Sequence, residues 1–125
     1  MNDNKQPVIL VVDDINTNVV LIQALLKAKN YEVIPAHSGI QALKIVQQRK
    51  PDVIILDIMM PEMDGYEVLA RLRSDEQTKD IKVVMVSALS KAADIQNAMD
   101  LGADDYLTKP IVAKRLFEIL ENLTV

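Results

Sequence analysis

The chain has 125 residues, half of them hydrophobic and only 3% aromatic, and its 14 basic and 18 acidic side chains leave a net charge of -4. This length suits one domain that can bury a core without staples, and the acidic, aromatic-poor composition disfavours both phosphate-backbone attraction and base stacking, so direct nucleic-acid binding is not expected. With no cysteine, disulfides and thiolate metal sites are excluded, which suits a reducing cytoplasm without establishing one.

Met1 to Pro7 is short and polar, without the basic and apolar regions of an export signal. No later apolar run approaches the ~20 residues that a bilayer span requires, so no membrane association is expected. Val8 to Val12 is apolar at consecutive positions, the pattern of a strand buried on both faces. It stops at Asp13-Asp14. From Asn16 to Lys29, Val19, Ile22, Leu25 and Leu26 form one apolar helix face, and Asn16-Thr17-Asn18 reads as capping at its start, with no further role. Tyr31 to Ile34 reads as a second strand ended by Pro35. Ser38-Gly39-Ile40-Gln41 then has the S-x-x-Q form of a capping box, opening a helix that turns Ala42, Leu43 and Val46 inward before Pro51 stops further helix.

Val53 to Leu56 is the third strand, and Asp57 follows it at the head of a Met-Met-Pro loop. Tyr66 to Leu72 is a third helix with Val68, Leu69 and Leu72 on one side. Lys82 to Val86 is the fourth strand, followed by Ser87. Ser90 is the expected N-cap of a fourth helix running to about Leu101, where Gly102 supplies a left-handed stop. Tyr106-Leu107 is a short fifth strand, Lys109-Pro110 a turn, and Leu116, Ile119, Leu120 and Leu123 mark a last helix at spacings of three and four. A single domain over residues 1–125 is expected, whether whole or part of a longer protein.

Alternating strands and helices with uniformly apolar strands imply a doubly wound α/β domain: five parallel strands, five helices, right-handed crossovers. The common strand order for such a sheet is 2-1-3-4-5, and ligands bind at the carboxyl ends of the strands where that order reverses, between the first and third. The polar residues fall on that edge. Asp13 and Asp14 follow strand one, Asp57 strand three, Ser87 strand four and Lys109 strand five. Three carboxylates brought together repel, and one lysine does not compensate them, so a cation is called for. A hard divalent ion with oxygen ligands fits, Mg²⁺ above all, since it binds through one or two carboxylates plus a phosphoryl oxygen. The one histidine, His37, lies on the loop after strand two and reads as an ordinary surface or satisfied loop residue.

In this order and at these strand ends, VVDD at Val11 to Asp14, LDIMMPEMDG around Asp57, VSA at Val86 to Ala88 and GADDYLTKP at Gly102 to Pro110 resemble a response-regulator receiver domain of a two-component system, over essentially the whole chain. The resemblance implies a flavodoxin-like fold and a set of roles. Asp57 is similar to the phosphoacceptor, and Asp13 and Asp14 to the acidic pair that holds Mg²⁺ (or Mn²⁺), with the backbone carbonyl of Met59 as a further ligand beside Asp57. Lys109 resembles the cation that pairs with a phosphoryl oxygen, and Ser87 the hydroxyl that closes onto another. Pro110 resembles the proline of a cis peptide, Ala88 is small enough to admit the phosphate, and Gly65 eases the turn into the third helix. In the family's switch Ser87 moves toward the acyl phosphate and Tyr106 turns inward behind it, altering the face of the fourth helix, fifth strand and fifth helix. Implied partners are a sensor histidine kinase or phosphotransfer protein and a downstream output domain or protein, and a phosphorylation-dependent dimer is compatible. The implied location is cytoplasmic, and the implied chemistry is self-catalysed phosphoryl acceptance and acyl-phosphate hydrolysis, not substrate turnover.

Other classes fit less well. A phosphohydrolase with an Asp nucleophile usually needs an acid two residues on, where Met59 stands, and no room remains for a cap domain. A flavin carrier would want ring-stacking aromatics and an anion-friendly loop after strand one, but DDINTN is acidic. Three glycines supply neither a Walker nor a G-x-G-x-x-G loop. Met59, Met60 and Met63 could form a soft-metal or adaptable surface, though loop packing explains them. A phosphorylation-independent interaction module on the same fold is the main alternative, and the full set of Asp13, Asp14, Asp57, Ser87 and Lys109 speaks against it.

Overall fold

Uninterrupted apolar strands need cover on both faces, and the chain supplies it by alternating them with helices. The computed structural model describes residues 6–125; the start of the polar Met1 to Pro7 segment lies outside the described residues. Its elements are β1 (Val8–Val12), α1 (Asn16–Lys27), β2 (Glu32–Ala36), α2 (Gly39–Gln48), β3 (Val53–Asp57), α3 (Gly65–Ser74), β4 (Lys82–Ser87), α4 (Ala92–Asp100), β5 (Asp105–Thr108) and α5 (Ala113–Leu123). The five strands are parallel in the order β2-β1-β3-β4-β5. No helix among the described residues is long and apolar enough to cross a membrane.

Strand alternation sorts the core into two layers. Ile9, Val11, Val53, Ile55, Val84, Val86 and Leu107 point to one face, where Val19, Ile22 and Leu26 of α1 and Leu116, Ile119 and Leu120 of α5 cover them. Leu10, Val12, Ile54, Leu56, Val83 and Met85 point to the other, under α2, α3 and α4. Every residue of β1 and β3 is buried, as the lack of polar alternation requires. β2 is only half-buried because it is an edge strand. That position also explains why it runs through Pro35 and does not end there: an edge strand has one ladder partner, so a missing N–H facing outward costs little.

Helix ends follow local chemistry, with three departures from expectation. Ser38 caps α2 by accepting the Gln41 N–H at 3.0 Å, while the Gln41 side chain takes the N–H of His37 at 2.7 Å. α3 starts one residue early, at Gly65, because Asp64 is its cap and accepts the Glu67 N–H at 2.9 Å. Ser90 is not the N-cap of α4; Lys91 holds that position without a side-chain bond. α1 stops at Lys27, two residues short of the expected Lys29, because Asn30 takes a left-handed φ of 67° and the Tyr31 N–H closes back on the Leu26 carbonyl. Gly102 does the same for α4 at φ 107°, with the Ala103 N–H on Ala98 and its own on Met99.

A cluster that periodicity does not report ties the far side of the sheet together. Arg73, at the end of α3, donates to the carbonyls of Gly102, Lys79 and Ile81 and to the Asp104 carboxylate at 2.7 to 3.0 Å. Asp104 also accepts the N–H of Val83 at 2.8 Å, so one ion pair anchors three chain segments. Arg73→Ala should lower unfolding free energy by roughly 2–3 kcal/mol, and Arg73→Lys should recover little, because an ammonium lacks the planar fork. Urea denaturation of the two variants checks both, and an Arg73→Ala midpoint equal to that of the parent would contradict the anchor.

Candidate functional site

Each polar residue of the site sits where a strand stops being covered. Asp57 is the last residue of β3 and Ser87 the last of β4, Asp13 and Asp14 follow β1, and Lys109 follows β5. Main-chain bonds hold these ends in register: Asp13 N–H to Ala36, Ile58 N–H to Val86 and Lys109 N–H to Ser87, at 3.1, 3.0 and 2.8 Å. The sheet thus brings together residues 96 positions apart in the chain. One carboxylate oxygen each from Asp13, Asp14 and Asp57 lies within 4.8 Å of the others. Asp13 and Asp57 are 3% exposed and Asp14 is exposed.

Lys109 is the one cation that reaches this group among the described residues. Its Nζ lies 3.2 Å from Asp57 Oδ1 and 3.4 Å from Asp13 Oδ2. The approach to Asp57 Oδ1 satisfies an ion pair by distance but not a hydrogen bond by angle, and that oxygen is buried without a donor. Burial pushes the Asp57 carboxyl above its ordinary range; Asp13 and, more weakly, Asp14 add to the shift by repulsion, and Lys109 opposes it. For Lys109, burial alone would lower the ammonium, but Asp57 and Asp13 outweigh it and hold the group above the usual lysine range. An orphaned buried oxygen in a carboxylate cluster with only one compensating charge fits a hard divalent cation.

The structure brings Asp13, Asp14, Asp57 and Lys109 together and sets Ser87 and Tyr106 behind them. Ser87 is buried, and its Oγ accepts the N–H of Leu89 at 3.1 Å. The Tyr106 hydroxyl donates to the carbonyl of the same Leu89 at 2.8 Å. The ring is only 7% exposed and packs in the α2–α4 layer. The Tyr106 ring thus stands on the interior side in this structure, against the connection that follows Ser87. Ala88 is exposed, Met59 is 67% exposed, and the Lys109-Pro110 peptide is cis. Gly65 has no left-handed φ to accommodate; a Cβ there would stand 2.5 Å from the Asp57 carbonyl oxygen and 2.8 Å from the Ile58 Cα. Its contribution is close approach of α3 to the end of β3, not an eased turn. His37 bonds Asn16 Oδ1 through Nε2 at 3.0 Å, an ordinary loop contact. Asn18, read as a cap, instead donates to Asp13 Oδ2 at 3.1 Å, a contact that no local pattern announces.

A doubly wound parallel sheet with an acidic cluster and one lysine at its switch point defines a flavodoxin-like α/β domain with a cation-compatible site. Comparison with known proteins narrows that class. Residues 9–121 match the family model of the response regulator receiver domain, and the chain belongs to that family. It is 46% identical over 116 residues to the response regulator PleD of Caulobacter vibrioides, covering 93% of this chain but 26% of PleD, so it spans about a quarter of the length of that relative. The chemotaxis response regulator CheY4 of Vibrio cholerae superposes with a TM-score of 0.89 at 29% identity, over 95% of this chain and 99% of CheY4. The receiver domain of a sensor histidine kinase from Pseudomonas aeruginosa, with a magnesium ion coordinated in its active-site cleft, superposes with a TM-score of 0.86 at 29% identity, over 95% and 98% of the two chains. Receiver domains of two-component response regulators are signalling switches, and this chain is one by family.

The raised Asp57 carboxyl has a consequence for stability. Such a group favours folding while it is protonated in both states, below its unfolded value near 3.8, and loses that contribution as pH rises through the higher folded value. At neutral pH the charged Asp57 opposes folding. Asp57→Asn should therefore stabilise the metal-free protein at pH 7 by roughly 1–3 kcal/mol, with the gain shrinking toward zero as the pH falls to about 4. Urea titrations across that range check the sign, and destabilisation at pH 7 would contradict it.

Proposed function

We propose that this domain accepts a phosphoryl group from a histidine kinase or phosphotransfer protein onto Asp57, with Mg²⁺ (or Mn²⁺) held by Asp13, Asp14, Asp57 and the Met59 carbonyl. The observation that carries the reading is the buried Asp57 oxygen with no aligned donor, 3.2 Å from the Lys109 ammonium. As a carboxylate, Asp57 needs no general base. One of its oxygens attacks phosphorus in line, the P–N bond of the phosphohistidine breaks, and its electron pair returns to the imidazole nitrogen, which takes a proton from solvent. Bound magnesium supplies neutralisation of the charge that three carboxylates and a phosphoryl group share. Lys109 stands where it can move from Asp57 Oδ1 to a phosphoryl oxygen. Hydrolysis reverses the state: water attacks phosphorus, and the Asp57 carboxylate and inorganic phosphate leave.

Signalling follows from Ser87. Its Oγ accepts from Leu89 and keeps its own proton to give a phosphoryl oxygen. Movement toward that oxygen would strain or break the Leu89 bond, and the Leu89 carbonyl also carries the Tyr106 hydroxyl. The face of α4, β5 and α5, with Leu89, Met99, Leu101 and Val112 exposed on or beside it, is the surface this change would alter for an output partner or a second copy. The main alternative, a phosphorylation-independent module, leaves the orphaned oxygen and the clustered charge without a purpose.

Acetyl phosphate with Mg²⁺ should add one labile phosphoryl group to the intact mass, and none to Asp57→Asn or after EDTA; equal labelling of the substituted chain would overturn the acceptor assignment. A hollow of about 480 Å³ opens beside the site, lined by Asp13, Leu21, Ala88, Lys109 and Ile111 among others, and Leu21 on α1 is 57% exposed there. This apolar wall next to the acceptor suits an apolar patch beside the histidine of a donor protein. Leu21→Glu should slow transfer from a phosphorylated donor protein at least tenfold while labelling by acetyl phosphate stays unchanged. A parallel loss with the small donor would place Leu21 in folding instead.

A further inference from the structure

Asp13 is the most fully engaged of the three carboxylates. Its Oδ1 accepts the N–H of Ile15 at 2.9 Å, and its Oδ2 accepts the Asn18 side-chain amide at 3.1 Å and the Lys109 ammonium at 3.4 Å. A carboxylate offers about four lone-pair directions, so these three donors leave one open, on Oδ1. Asn18 is half-buried in the first turn of α1 and lines the hollow beside the site with Asp13 and Lys109. It does not cap the helix, since the cap position is Ile15, without a side-chain bond. Its amide has a neutral donor's effect: it orients Asp13 and satisfies Oδ2 without adding charge.

We propose that Asn18 is a positioning residue for the divalent cation, fixing the Asp13 carboxylate so that its remaining lone pair is left to the ion and sparing Lys109 from serving Asp13 alone. The inference rests on the reading that Mg²⁺ binds this cluster. Without the amide, Oδ2 has only Lys109. The ammonium, now 3.2 Å from Asp57 and 3.4 Å from Asp13, is then drawn toward Asp13 and away from the oxygen where a phosphoryl group would need it. Partners that orient a ligand typically contribute about ten- to a hundredfold in metal affinity. Asn16, two residues earlier, makes an instructive contrast: it touches His37, not Asp13.

Calorimetric Mg²⁺ titration of the full chain, Asn18→Ala and Asn16→Ala tests the assignment. Asn18→Ala should bind Mg²⁺ about tenfold more weakly, and Asn16→Ala should match the parent. In the parent, the Asn18 side-chain amide resonances should shift along the titration with the midpoint found by calorimetry, a signature independent of how any variant folds. If the parent binds Mg²⁺ and Asn18→Ala binds it equally, or both asparagine variants lose affinity alike, the positioning role is wrong while the site stands. If the Asn18 amide resonances do not respond although Mg²⁺ binds, it is likewise wrong. A parent chain with no Mg²⁺ affinity would overturn the cation reading and this inference together.

Discussion

Three carboxylates within 4.8 Å of one another, two of them buried and served by one shared ammonium, form the constraint around which the rest of the structure is arranged. Mutual repulsion of this kind costs folding free energy, and the cost is tolerated only because the surrounding sheet is stiff. β1 and β3 are buried along their whole length, both core layers run beneath the site, and the strand ends are bonded to one another through main-chain atoms. A looser scaffold would relieve the repulsion by spreading the charges. The charge imbalance is what makes the site fit a hard divalent cation.

Leu89 lies between the site and the surface of α4 and β5. It donates its N–H to Ser87 and accepts the Tyr106 hydroxyl at its carbonyl. The Tyr106 ring sits in the interior, and its hydroxyl holds the β4–α4 connection in place. On the far side of the sheet, Arg73 and Asp104 lock the ends of α3 and α4 to β4.

Much of this was legible in the residue order. Uninterrupted apolar runs such as Val8 to Val12 and Val53 to Leu56 predict a sheet covered on both faces, and the strand order observed is the one that alternation suggests. The placement of Asp13, Asp14, Asp57, Ser87 and Lys109 at strand ends followed from where those runs stop, and the family match agrees with the motifs they carry. Element ends were less legible. Ser90 has the right chemistry for a cap, but the chain turns one residue later, and Pro35 reads as a stop only when its strand is taken to be interior.

What the sequence by itself determined is the periodicity and the chemistry: which segments must be buried on two faces, and which side chains stand at their ends with charge to neutralise. What only the tertiary structure decided is contact between residues distant along the chain or too close to show a pattern. Asn18 lies five positions from Asp13, yet its amide points at that carboxylate because α1 leaves β1 at one particular angle. Tyr106 is turned inward because Leu89, seventeen residues away, offers it a carbonyl. Gly65 lacks a side chain because α3 presses on the peptide after Asp57. Periodicity reports the environment of a single element, whereas these contacts depend on the relative placement of two, which is settled only when the core packs.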